Sequence, residues 1–104
     1  MREQMNLLQS LPDASSAEIF EELVGTASCR IERIVSRGQV STEWYDQEEH
    51  EWVAVLRGAA TILLEDGTEH SMSVGDTLLL PAHTRHKVTW THPEENTVWL
   101  AVFF

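Results

Sequence analysis

Cysteine is almost absent from this 104-residue chain: Cys29 stands alone, which excludes an intrachain disulfide framework and fits a reducing compartment. Basic residues are also scarce. Seven Lys and Arg stand against seventeen Asp and Glu, a formal charge of −10. No cluster of cations offsets that field, so phosphate backbones are repelled and nucleic acid is not an expected partner. No apolar run approaches the about 20 residues that span a bilayer, so no membrane partner is expected either. Met1-Arg-Glu-Gln-Met-Asn leads only into Leu7-Leu8, far short of the apolar core of a signal peptide. The expectation is a soluble, cytoplasmic, single-domain protein whose excess acids mostly solvate its surface. Internal repeats, linkers and low-complexity tracts are lacking as well.

What is present changes texture once. Residues 1–28 read as an N-terminal arm with a short helix. Ser15-x-x-Glu18 has the form of a capping box, in which Ser15 takes the amide of Glu18 and Glu18 reaches back. Ile19, Phe20, Leu23 and Val24 then share one helical face, and Gly25 can close the helix. Such a helix is marginal alone and must dock on the rest.

Residues 29–104 read as strands: Arg30 to Ser36, an extended Gln39 to Gln47, Trp52 to Leu56, Ala60 to Leu64, Thr68 to Val74, Thr77 to Leu80, His86 to Thr91 and Val98 to Phe104. Asp66-Gly67 suits a tight hairpin turn with positive φ. Short strands punctuated by turns every 8–12 residues or so predict an all-β sandwich or barrel.

Two stretches carry the candidate chemistry. Glu43 to Glu51 crowds acids and aromatics, and Gly75 to His86 sets His83 and His86 three apart after Pro81. In His86 to Thr91, strict alternation groups His86 with Val88 and Trp90, opposite Lys87, Thr89 and Thr91. If the second set faces water, His86 points inward, where an imidazole needs a hydrogen-bond partner or a metal. His50 has the opposite parity to Glu51 and reads as an exposed or interface residue, and the turn residues His70 and His92 read as surface residues. Trp44, Tyr45 and Trp90 suit either an aromatic wall for a small organic ligand or simple filling of a barrel. Arg57 shares the parity of Glu51, which allows either contact with an anion or an edge salt bridge.

Glu51-x6-Gly58, followed by Gly75-x5-Pro81-x4-His86, resembles the two motifs of the cupin superfamily. These are written G-x5-H-x-H-x(3,4)-E-x6-G and G-x5-P-x-G-x2-H-x3-N. The second is well kept, except that its Pro-x-Gly is Pro81-Ala82-His83 and its final Asn is Trp90. The first retains Glu51 and Gly58, with Gly38 near its opening glycine. Its histidine pair is replaced by Tyr45 and Gln47 on the shorter spacer, or by Trp44 and Asp46 on the longer one.

The resemblance implies a cupin-type β-barrel, a double-stranded β-helix or jelly roll, over about Arg30 to Phe104. It also implies a divalent metal, Mn, Fe, Ni or Zn, held in the lumen. Glu51 and His86 carry over directly as ligands. Gln47 is preferred over Asp46 as a third because it keeps the shorter spacer and the parity of Tyr45. Tyr45 and His83 are the candidates for proton transfer. Implied with these are a small-molecule ligand or substrate and a homodimer. The alternative is a metal-free ligand-binding barrel without catalysis.

Overall fold

The computed structural model describes residues 4–104; Met1 to Glu3, the start of the segment read above for a targeting signal, lie outside them. Eight strands follow in order: β1 Ile19–Gly25, β2 Arg30–Ser36, β3 Glu51–Arg57, β4 Ala59–Leu64, β5 Glu69–Ser73, β6 Thr77–Leu80, β7 His86–Thr91 and β8 Thr97–Phe103. They form a five-stranded sheet, β1-β2-β8-β3-β6, facing a three-stranded sheet, β5-β4-β7. All the described pairings are antiparallel. No described helix is long and apolar enough to cross a membrane.

The short N-terminal helix expected from Ser15-x-x-Glu18 does not form. Residues 19–25 are strand β1, in register with β2 from Ile19↔Val35 to Gly25↔Arg30. The reason is non-local. β2 pairs with β8 on one side only, and the β-branched and aromatic residues of Ile19–Gly25 suit its other, otherwise unpaired edge. Pairing there satisfies the backbone of a segment too short to be stable as a helix. Gln39 to Gln47, expected to be extended, is a loop that runs along β7, with one isolated bridge, Tyr45↔His86, and reciprocal bonds between Ser41 and Val88.

The core lies between the sheets. Ile34, Val53, Val55, Trp99, Ala101 and Phe103 of the larger sheet meet Ala60, Ile62 and Met72 of the smaller. In β7 the strict alternation fails at Thr89. Thr61 pairs with Trp90 but the next residue, Ile62, pairs with Val88, so Thr89 is bulged. His86 and Val88 keep the inward face, but Trp90 turns out and is 43% exposed, while Thr91 is buried. The Thr91 hydroxyl is satisfied by donating to the Gln39 carbonyl at 2.7 Å.

On the outer face of the larger sheet, Arg33 is buried at 3% exposure. Its guanidinium donates to both carboxylate oxygens of Glu21 on β1, at 2.8 and 3.1 Å, and to the Leu7 and Gln9 carbonyls of the arm. One side chain thus ties the arm and the edge strand to β2.

Candidate functional site

His86 opens β7 and Glu51 opens β3, so each side chain is aimed by a strand whose neighbours are packed. Glu51 pairs across the sheet with Leu80 and Phe103, and His86 with Leu64. Both are buried, at 8% and 5% exposure. The His86 Nδ1 lies 2.8 Å from the Thr84 carbonyl oxygen. A carbonyl only accepts, so Nδ1 carries the proton and the neutral ring presents a lone pair at Nε2. That nitrogen faces Glu51 Oε1 at 3.6 Å, beyond hydrogen-bond length. Burial lowers the pKa of the imidazole, but the Glu51 carboxylate and the Thr84 carbonyl outweigh it and hold His86 above its ordinary value.

The pair sits in a cavity whose open volume is about 70 Å³, lined also by Tyr45 and Gln47 and walled by Ile34, Val53, Ile62, Leu80, Val88 and Phe103. Liquid water occupies about 30 Å³ per molecule, so the enclosed part holds an ion with its waters or a compound of a few heavy atoms. Phe20 and Tyr45, 54% and 39% exposed, form the rim through which a longer ligand would project.

Four of the five expected site residues therefore meet: Tyr45, Gln47, Glu51 and His86. Tyr45 is held by a reciprocal backbone bridge to His86 at 2.7 and 3.1 Å, and its ring stacks on the imidazole with centroids 5.5 Å apart. Burial, then the Glu18 and Glu51 charges, raise its pKa against the opposing Ser41 hydroxyl, so the phenol keeps its proton at neutral pH. His83 is not among the cavity-lining residues. It is exposed, with Nδ1 2.8 Å from Asp46 Oδ1, and Asp46, unlike Gln47, does not line the cavity. His83 has φ 61, the left-handed conformation that explains a glycine at this point of the motif. Arg57 lies past a bulge at the far end of β3 and does not line the cavity. His50 is exposed and accepts the Ala82 amide at 2.9 Å.

One ionisable lining residue is not among those expected from the sequence. Glu18, assigned there to a helix cap, lies just before β1 with its side chain against the cavity. Its carboxylate accepts the hydroxyl of fully buried Ser36, whose oxygen in turn accepts the Trp99 indole N–H at 3.3 Å. Burial pushes the Glu18 carboxyl above the ordinary carboxylate range, partly offset by Ser36. The available signal was parity: Glu18 falls on the same face as Phe20 once the segment is read as a strand.

Two facing antiparallel sheets closing over a lumen that holds a carboxylate and an imidazole define a cupin-type barrel. The chain matches the family model described as Cupin domain over residues 32–103, and it belongs to the cupin family. Among solved structures, a provisionally assigned mannose-6-phosphate isomerase from Ralstonia eutropha is 43% identical; the match covers 98% of this chain and 97% of that one, with a TM-score of 0.93. A cupin superfamily protein from Desulfitobacterium hafniense is 16% identical over 100% and 93% of the two chains, with a TM-score of 0.82. An RmlC-like cupin protein from Desulfovibrio desulfuricans is 17% identical over 99% and 97%, with a TM-score of 0.78. At those identities the last two speak for the fold alone. No curated protein matches the chain.

Proposed function

We propose that this cupin binds a small molecule in its lumen beside a divalent metal ion held by His86, Glu51 and Gln47. The observation that carries the reading is the buried Glu51–His86 pair, with Nε2 free and Nδ1 fixed by a backbone carbonyl. Such a carbonyl contact is the usual outer support of a metal-bound histidine. Donor atoms about 2.0–2.2 Å from one ion stand at most about 4.4 Å apart, and the 3.6 Å between Nε2 and Oε1 is within that reach. Gln47 supplies an amide oxygen on the same cavity. One imidazole, one carboxylate and one amide suit Mn, Fe, Ni or Zn without choosing among them. When bound, the ion supplies Lewis-acid polarisation of a ligand oxygen or nitrogen.

With a single carboxylate and a single imidazole, this donor set is lean. Among the described residues no three His, Cys, Asp or Glu side chains form a group able to hold an ion. That observation favours the second reading, a metal-free barrel in which Glu51 and His86 bind the ligand directly. In either case Tyr45 is the proposed proton donor, since its phenol stays protonated at the cavity rim. A role for His83 requires a ligand that extends past the rim. Elemental analysis of untagged protein, beside His86→Ala and Glu51→Ala, separates the readings. The metal reading expects about one ion per chain, lost in both variants; protein that is metal-free and refuses all four ions overturns it.

The mannose 6-phosphate named for the Ralstonia protein carries a phosphate, yet among the described residues no Lys or Arg lines this cavity. We therefore propose a ligand of different charge.

The partner proposed for the outer face is a second copy of the chain. Leu79, Trp52, Val102, Ile31 and Val24 form one cross-strand apolar row there, with Leu79 and Val24 53% and 51% exposed. The row is uncharged on a strongly negative molecule, so it is a patch on which two copies can meet about a twofold axis without repulsion. Sedimentation is expected to give twice the 11.8 kDa chain mass, and Leu79→Glu to shift it toward monomer. Monomer at high concentration in the wild type contradicts this. The unpaired thiol of Cys29 suits a reducing compartment, as in the cytoplasm.

A further inference from the structure

The two carboxylates of the cavity come from different cross-strand rows. Glu51 shares the cross-strand row of Phe103, whereas Glu18 is bonded to Ser36, in the row of Thr97. Phe103 and Thr97 are the two ends of β8, about 20 Å apart in backbone at about 3.3 Å per residue. Glu51 has the His86 imidazole 3.6 Å away, and Gln47 lines the same cavity. Three aromatic rings line the same cavity as Glu18: Phe20 and Tyr45 at the rim, Tyr45 also stacked on His86, and Trp99 within, bonded to Ser36.

We infer that Glu18, with Phe20, Tyr45 and Trp99, is a recognition site for the ammonium group of a small organic cation. The inference rests on the reading of this cavity as a ligand site. A carboxylate beside ring faces is the chemistry that binds an organic ammonium, the rings contributing through their negative faces and the carboxylate through a charged hydrogen bond. Glu18 is oriented for this by a chain of donors, Trp99 N–H to Ser36 and Ser36 O–H to Glu18, which occupies one part of the carboxylate and leaves acceptor positions toward the cavity. Ser36 is fully buried, so the carboxylate is held by rigid structure rather than by a mobile surface group.

Electrostatics points the same way. No guanidinium or ammonium among the described residues lines the cavity, and the whole chain carries −10, which concentrates cations and repels anions at its mouth. Glu18 is destabilised as an anion by burial, and an arriving cation relieves that penalty. An anionic ligand end, phosphate above all, finds no partner there.

The test uses n-propylammonium, propionate and inorganic phosphate as probes at matched ionic strength, titrated into the metal-free protein and followed by ¹H–¹⁵N NMR. Propylammonium is expected to shift the Trp99 indole and Ser36 amide signals saturably, and the two anions are expected to leave them in place. Glu18→Gln is expected to weaken propylammonium binding at least tenfold. Phe20→Leu, at the exposed rim, is expected to weaken it several-fold without touching the buried chain of donors, which keeps the test valid if the Glu18 variant misfolds. Propylammonium binding that both variants leave unchanged, no propylammonium binding, or tighter binding of either anion at these signals overturns the inference. Metal content is measured in parallel. Loss of metal from Glu18→Gln would make Glu18 a metal ligand and also overturn the inference. Metal-free wild type that still binds propylammonium through Glu18 supports it while removing the metal reading.

Discussion

Gly58→Ala is expected to cost about 3–5 kcal/mol of folding stability, from a left-handed backbone at a non-glycine residue added to overpacking against fixed backbone. Gly58 has φ +82, and a methyl group built there meets Thr97 Oγ1 at 2.5 Å, the Asn96 carbonyl oxygen at 2.7 Å and Thr97 Cα at 2.7 Å. Two of those atoms are main chain at the start of β8 and cannot rotate away. Gly67 is the control, because its φ of +92 carries the conformational penalty while nothing lies within 4 Å of the added methyl. For Gly67→Ala the loss is about 1–2 kcal/mol. Urea unfolding of both variants decides. A Gly58 variant no less stable than the Gly67 variant contradicts the packing described between β3, β4 and β8. The comparison also gives a physical content to the motif glycine seven positions after Glu51: it lets the chain pass from β3 in one sheet to β4 in the other directly against the first residue of β8.

The second large effect is expected at Arg33. Arg33→Ala removes a buried guanidinium that bridges Glu21 and the carbonyls of Leu7 and Gln9. Breaking a fully buried pair costs about 3–5 kcal/mol. Glu21 retains about a third of its exposure, so solvent screens the charge left behind, and about 2–3 kcal/mol is the fitting magnitude here. The consequence is local as well as global. Because β1 is an edge strand and the arm is held by Arg33, the variant is expected to expose residues 4–18 to limited proteolysis before the barrel unfolds. Arg33→Lys keeps the charge but loses the two-pronged contact to Glu21, and should fall between. Proteolysis of the Arg33→Ala arm no faster than in wild type would contradict the clamp. Since β1 carries Phe20 and follows Glu18, the same substitution is expected to loosen the rim of the cavity.

Much of this architecture is legible in the sequence because it is set locally. Arg30 to Ser36 and Thr77 to Leu80 form strands with those bounds, and Asp66-Gly67 turns the β4–β5 hairpin with Gly67 at positive φ. The spacing from Gly75 through Pro81 to His86 places the imidazole in the lumen because a strand and its turn impose that geometry with little help. What was misread is what distant partners decide. Ile19, Phe20, Leu23 and Val24 satisfy a helical stripe and an edge strand equally, and only the unpaired side of β2 selects the strand. Trp90 leaves the lumen because β4 accommodates one residue fewer than β7 offers, which puts a bulge at Thr89. Gln47 and Asp46 lie in an irregular loop, where alternation has no meaning; Gln47 lines the cavity while Asp46 contacts the exposed His83. Glu18 was missed for the same reason as β1, since its place in the cavity follows from strand register.

In the proposed metal site, the Glu51–His86 pair is a one-histidine ion site in a ligand cavity. Cobalt(II) titration of metal-stripped protein, followed by visible absorption and by proton NMR, addresses it directly. A histidine bound through Nε2 keeps its Nδ1 proton, here directed to the Thr84 carbonyl, and cobalt shifts that proton far downfield. One equivalent bound, one shifted exchangeable proton, and loss of that signal in His86→Ala are expected. Saturable binding with two or more shifted imidazole protons, with a signal that survives His86→Ala, or no binding at all would contradict it.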